Sequence, residues 1–161
     1  MTTRRQVAGL AGWLLLTFLV AAVGAKGSMA AASFYSQLAL PAWAPPAGLF
    51  GPVWSVLYLL MAIAAWLVWR RNGWRGAPGA LGLYLLQLVC NAAWSWLFFA
   101  WRLGAAALAD IIVLAALIIA TMVAFHRVRP LAALLLMPYL GWVLFAGVLN
   151  YTLWQGNPTL L

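Results

Sequence analysis

Charged side chains are so sparse in this chain that the stretches between them are long enough to cross a bilayer. Nine basic residues and one acid are distributed over 161 residues, 6% of which are charged and 68% hydrophobic. A soluble domain carries about a quarter charged residues, so a surface of this composition suits lipid rather than water. Backbone groups in hydrocarbon must bond to one another, which leaves helices or a closed barrel. Barrel strands alternate apolar and polar side chains, and a run such as Ile111 to Ala120 has no alternation. The expected fold class is therefore all-α, an integral membrane bundle of five transmembrane helices.

A span needs about 20 mostly apolar residues. The uncharged runs place the spans at approximately 6–26, 52–70, 78–101, 105–126 and 130–154, within one domain over 1–161. The basic start and the small residues Ala21, Ala22 and Gly24 have the look of a signal peptide. The apolar stretch exceeds a usual signal core, so a retained first helix is expected. Residues 27–51 form an outer loop punctuated by Pro41, Pro45 and Pro46, which fix the backbone. This predicts a stiff extended lid. Within it, residues 33–40 predict a short helix with Phe34, Leu38 and Tyr35 turned towards the membrane.

Basic residues set the orientation. Arg4, Arg5, Arg70, Arg71, Arg75, Arg127 and Arg129 share one side, and only Lys26 and Arg102 fall on the other, seven against two. The N-terminus is then cytoplasmic and the C-terminus periplasmic. Anionic head groups and topology account for the net charge of +8. The basic residues form no single patch in the sequence, which argues against nucleic acid as a partner. Cys90 is the only cysteine, so no internal disulfide or thiolate metal cluster is expected.

Polar groups inside spans are costly and ask for a reason. Gln87, Asn91 and Ser95 are spaced four apart on span three, with Trp94 and Phe98 beside them. Trp142, Ala146 and Asn150 repeat that spacing on span five, and Trp54, Tyr58 and Met61 share a face of span two. The topology puts these groups in the outer half of the bundle, beneath the proline-rich loop. Apolar walls with a few hydrogen-bonding groups are the chemistry of a small-molecule pocket. The competing reading is helix-to-helix glue. It is preferred for Gln87 and Ser95, while Asn91 and Asn150 remain open. Trp13, Trp66, Trp69, Trp74, Trp101 and Trp154 are read as interfacial anchors.

Asp110, the only acid, is expected to pair with Arg102 or a tyrosine hydroxyl, and His126 to sit at the interface rather than ligate haem. There is no carboxylate pair, no Cys–His cluster and no phosphate-cradling glycine loop. No metal site and no obligatory cofactor are expected, and neither charge rings nor carbonyl rings of a channel are visible.

Four motifs, in order, carry a resemblance. They are Pro41-x-Trp43-x-Pro45-Pro46; Phe50-x-Pro52-x-Trp54-x-x-Leu57-Tyr58; Gln87-Leu88-x-x-Asn91-x-x-Trp94-Ser95 with Phe98-Phe99; and Pro138-Tyr139-x-x-Trp142-x-x-Phe145-Ala146-x-x-Leu149-Asn150. Over nearly its whole length the chain resembles the translocator protein family, also called tryptophan-rich sensory proteins or peripheral benzodiazepine receptors. The resemblance implies five packed helices, usually a homodimer, and a receptor or sensor for porphyrins such as protoporphyrin IX and haem and for isoquinoline and benzodiazepine ligands. It implies binding residues at Trp54, Asn91, Trp94, Trp142, Ala146 and Asn150, with Tyr35 and Trp43 on the covering loop.

Some bacterial members are associated with light- and oxygen-dependent porphyrin breakdown, for which Trp54 and Trp142 are the catalytic candidates. A porphyrin or lipid transporter is the third reading, and it lacks the expected repeats or broken midplane helices. The animal cholesterol motif requires a basic residue soon after its tyrosine. Here Tyr151 is followed by Thr152, Leu153, Trp154 and Gln155, so the resemblance does not extend to sterol binding through that motif. The basic N-terminus fits a bacterial inner membrane.

Overall fold

The computed structural model describes residues 2–161. Five long helical stretches cross from one end to the other: α1 (Thr3–Gly27), α3 (Phe50–Gly76), α4 (Pro78–Ser95, continued by a wider turn over Trp96–Ala100), α5 (Gly104–Val128), and the pair α6 (Pro130–Leu135) and α7 (Met137–Gly156). A five-residue helix, α2 (Ala31–Tyr35), lies in the loop after α1. The long stretches have the length and apolarity of membrane spans. At 1.5 Å per residue a 25-residue helix is about 37 Å long, enough for a hydrocarbon core of about 30 Å. The chain is an integral membrane protein with several spans, and the all-α expectation holds.

The helices close into a ring. α1 packs on α3 and α4, α4 on α5, α5 on α7, and α6 on α3 and α5. Small residues permit the closest approaches. A Cβ on Gly9 would stand 2.0 Å from the Trp69 ring, and one on Gly104 2.8 Å from Trp154. Gly9→Ala therefore forces Trp69 off α1. Overpacking of this kind costs about 1–3 kcal/mol, and a lowered thermal unfolding midpoint in detergent is expected. An unchanged midpoint would mean Trp69 swings aside freely.

Three local departures from the predicted spans have backbone causes. α3 starts earlier, at Phe50, and continues past Arg70 until Gly73, whose φ of 65° and ψ of −176° break the helix. Glycine enters that left-handed region without a Cβ clash. Span five is broken at Leu136, because Pro138 has no N–H to offer the preceding turn. Leu136 N–H instead reaches Ala133 O at 3.1 Å. α4 widens at its end, where Trp101 N–H bonds Trp96 O, five residues back, at 2.8 Å.

The loop also differs from expectation. The short helix forms over Ala31–Tyr35, and Phe34, Tyr35 and Leu38 are buried against Phe98, Ala107, Leu149 and Leu153 rather than facing the membrane. A protein groove and hydrocarbon give an aromatic ring the same escape from water, so apolarity alone does not choose between them. Residues 41–44 turn rather than extend, since Pro41 keeps its carbonyl and accepts from Ala44 N–H at 2.9 Å. Trp13 is core, not an anchor. It meets Tyr84 edge-on at 5.6 Å and stacks on Trp74 at 6.3 Å.

Candidate functional site

Pro52 stands near the start of α3, where its missing N–H costs nothing, and the first turns of that helix bring Trp54 and Tyr58 onto one face. Their rings stack at 5.5 Å with 29° between planes, and Trp54 also meets Tyr139 edge-on at 6.2 Å. On α4 the four-residue spacing aligns Gln87 and Asn91 towards the bundle centre. Tyr58 OH donates to Asn91 Oδ1, Asn91 Nδ2 donates to Tyr139 Oη at 3.0 Å, and Tyr139 OH donates to Gln87 Oε1 at 2.7 Å. One chain of hydrogen bonds thus joins α3, α4 and α7, running from the partly buried Tyr58 to the buried Tyr139 and Gln87, where an unmade bond is expensive.

A second polar knot lies nearer the loop end. Trp94 Nε1 donates to Asn150 Oδ1 at 3.1 Å, and Asn150 Nδ2 donates to Gly104 O at 3.0 Å. Trp94 is further fixed by stacking on Phe98 at 5.3 Å and 15°. Asn150 is 1% exposed, and both ends of its amide are engaged in holding Trp94 and the start of α5.

Between α1, α2, α3 and α4 a cavity of about 330 Å³ opens at the loop end. It is lined by Trp54, Tyr58, Asn91, Trp94, Phe50 and Tyr35, and on the α1 side by the small residues Ala21, Gly24 and Ala25. Its size is at the lower end of the range for small-molecule sites, and its apolar lining with a few polar groups fits that class. A narrower space continues behind Trp54 and Trp94 to Ala146.

Of the residues singled out in the sequence, Trp54, Asn91, Trp94 and Tyr35 come together at this cavity. Trp142 stands behind Phe50, with ring centroids 6.0 Å apart, and its Nε1 is buried without a hydrogen-bond partner among the described residues. Trp43 is exposed and packs edge-on against Phe145 at 5.9 Å. The α1 wall was not anticipated. Its signal was the cluster of small residues near Ala21, which in sequence had the look of a cleavage site.

The loop is tied over the bundle end at several points. Tyr35 OH donates to Pro45 O at 3.0 Å. Burial pushes the Tyr35 phenol above its ordinary pKa, so it remains a donor throughout the neutral range. Asn157 clamps Ala39 from both sides, accepting its N–H at 2.7 Å and donating to its carbonyl at 3.4 Å. No sequence pattern pointed to Asn157.

Asp110 forms neither expected pair. Its Oδ2 is buried and has no hydrogen-bond partner among the described residues. Arg102 takes a left-handed backbone, φ 55°, and lays its guanidinium over the Phe34 ring at 4.6 Å. The hydroxyls of Tyr35, Tyr58, Tyr84 and Tyr139 are already engaged elsewhere. Among the described residues, no three His, Cys, Asp or Glu side chains gather as metal ligands would.

The sequence signature of the TspO/MBR family matches residues 13–155. The chain belongs to the TspO/MBR family. Its relatives include the translocator protein of Bos taurus, 42% identical over 126 residues that make up 77% of this chain and 75% of the bovine one. The tryptophan-rich protein TspO of Chlorobaculum tepidum is 42% identical over 146 residues, covering 87% of this chain and 92% of its own. The protein of that name from Archaeoglobus fulgidus is 38% identical over 143 residues, covering 86% and 92%. The matched region includes every residue of the cavity wall and both polar knots, so the site lies inside what defines the TspO/MBR family rather than in an appended segment.

Proposed function

We propose that this TspO/MBR protein is a membrane receptor or sensor that binds tetrapyrroles, such as protoporphyrin IX and haem, and isoquinoline or benzodiazepine ligands in the cavity at the loop end. The observation that carries the reading is the cavity's wall. Two indoles, Trp54 and Trp94, line it together with the small residues Ala21, Gly24 and Ala25 of α1, which leave room for an apolar ring to lie against the indoles. Tyr58 and Asn91 supply the hydrogen-bonding groups. Asn150 keeps Trp94 in place, Ala146 leaves room behind the two indoles, Trp142 backs Phe50, and Trp43 pins the covering loop. Lys26, exposed beside the mouth, attracts propionates. Residues 1–161 act as one five-helix domain, a homodimer in a bacterial inner membrane, with the arginine end cytoplasmic and the C-terminus periplasmic, in contact with lipid and without an obligatory cofactor.

Protoporphyrin IX titrated into the purified protein in the dark is expected to quench tryptophan fluorescence saturably. Linear, unsaturable quenching would sink the reading. Tyr35→Phe removes the bond to Pro45, worth about 0.5–1.5 kcal/mol net. Stopped-flow release of porphyrin should then accelerate about two- to tenfold. An unchanged release rate would mean the loop does not gate the cavity.

A second reading, light- and oxygen-dependent porphyrin breakdown, draws on Trp54 standing at the wall and stacked on Tyr58. Repeating the titration under light tests it. Bleaching at the same rate with and without protein would end it.

A further inference from the structure

We propose that the end of the bundle opposite the cavity carries a phosphate-binding cleft, occupied in the membrane by the head group of an anionic phospholipid. The cleft, about 600 Å³, lies between the start of α1 and the end of α3 and is lined by Arg5, Arg70, Arg71 and Arg75 together with Trp69 and Trp74. In sequence these arginines look like ordinary topology markers. In the fold they converge on one concavity.

That convergence is built, not incidental. α1 and α3 are locked together beside the cleft, where Trp66 Nε1 donates to Gln6 O at 2.9 Å and the Trp69 ring seats on Gly9. This holds Arg5 close to Arg70 and Arg71. The break at Gly73 then turns the chain, so that Trp74 stacks on Trp13 of α1 and Arg75 lines the same cleft. The Arg70 guanidinium lies over the Trp66 ring at 4.8 Å, which restrains it.

Four guanidinium groups around one cleft repel one another, and this chain has no carboxylate to answer them. Its only acid, Asp110, lies near the start of α5, at the loop end of the bundle. The counter-charge must come from outside. A guanidinium presents a planar fork that matches phosphate oxygens, and tryptophans beside it favour the head-group level of a bilayer. A diffuse surface potential attracts lipid without needing a cleft. Several guanidinium side chains lining one space between two packed helices add selectivity for a phosphate bearing net negative charge. The cleft is independent of the porphyrin reading and of which end faces the cytoplasm.

The test compares phosphatidylglycerol with phosphatidylcholine, each titrated as a short-chain lipid into delipidated protein in neutral detergent and followed by native mass spectrometry. Wild-type protein is expected to retain phosphatidylglycerol preferentially. Arg70→Gln/Arg75→Gln removes two charge-assisted contacts and should weaken that retention about tenfold or more, while dark porphyrin quenching stays unchanged as a check on folding. Arg127→Gln/Arg129→Gln takes the same charge from the same end outside the cleft and should leave retention intact. Equal losses in the two double variants, or no preference between the lipids, would overturn the proposal in favour of diffuse attraction. A third arm adds inorganic phosphate at constant ionic strength. Displacement of lipid by millimolar phosphate would overturn the lipid assignment and give the cleft to a free anion.

Discussion

Trp54→Ala is expected to weaken protoporphyrin IX binding about 30-fold, since truncating a tryptophan at the centre of a pocket commonly costs about 2 kcal/mol or more. Trp54 stacks on Tyr58, meets Tyr139 edge-on, and contributes to both the main cavity and the space behind it. Removing it deletes an indole from the cavity lining and loosens the Tyr58 ring stacked on it. Trp43→Ala serves as the contrast, because Trp43 is exposed and touches Phe145 rather than the cavity. It should lose several-fold less. Dark quenching titrations read both variants. Equal affinities for Trp54→Ala and wild type, in protein that still unfolds cooperatively, would remove the cavity from the account of porphyrin binding.

Asn91→Leu should be the most destabilising single change near the site. Interhelical hydrogen bonds in membranes average only about 0.6 kcal/mol, but Asn91 makes two, and its partner Tyr139 is fully buried. An orphaned buried group costs about 1–3 kcal/mol. Losing both contacts while keeping both phenols is expected to cost about 2–4 kcal/mol, read as a lowered unfolding midpoint in detergent. Ser55→Ala is the control, since that hydroxyl bonds only to Gly51 O of its own helix and should be close to neutral. A shift for Asn91→Leu no larger than the control's would show the hydrogen-bond chain to be slack.

Spans were legible because hydrocarbon tolerates so few charges. Arg5, Lys26, Arg75, Arg102 and Arg129 stand within three residues of helix ends, whereas α3 runs on past Arg70 to Gly73. What sequence could not supply was the neighbour of each face. In water an amphipathic pattern separates core from surface, but in lipid both the bundle interior and its exterior are apolar. Phe34 and Leu38 were accordingly assigned to the membrane when they belong to the bundle, and Trp13 to the interface when it belongs to the core. The amides fared better, because burial favours those that find partners, as Asn91 and Asn150 do, although Asp110 and Trp142 keep buried polar atoms without one among the described residues. The spacing of Gln87 and Asn91 anticipated a shared face, although not that Tyr139 would join them. The α1 wall was missed for the opposite reason, since alanine and glycine carry no chemistry and announce only room. Arg5 and the group Arg70, Arg71 and Arg75 were legible as markers of one side, but not that the break at Gly73 brings them to one cleft.

The clamp of Asn157 on Ala39 spans 118 residues of chain. A growing polypeptide therefore inserts α1 and its loop long before the residue that fastens the loop exists. Until α7 is in place, the roof of the cavity has neither Asn157 nor Phe145 to hold it and rests on its own contacts with Phe98 and Phe50. The cover is thus the final part of the architecture to be completed, and the last helix acts as a latch for a door hung at the first.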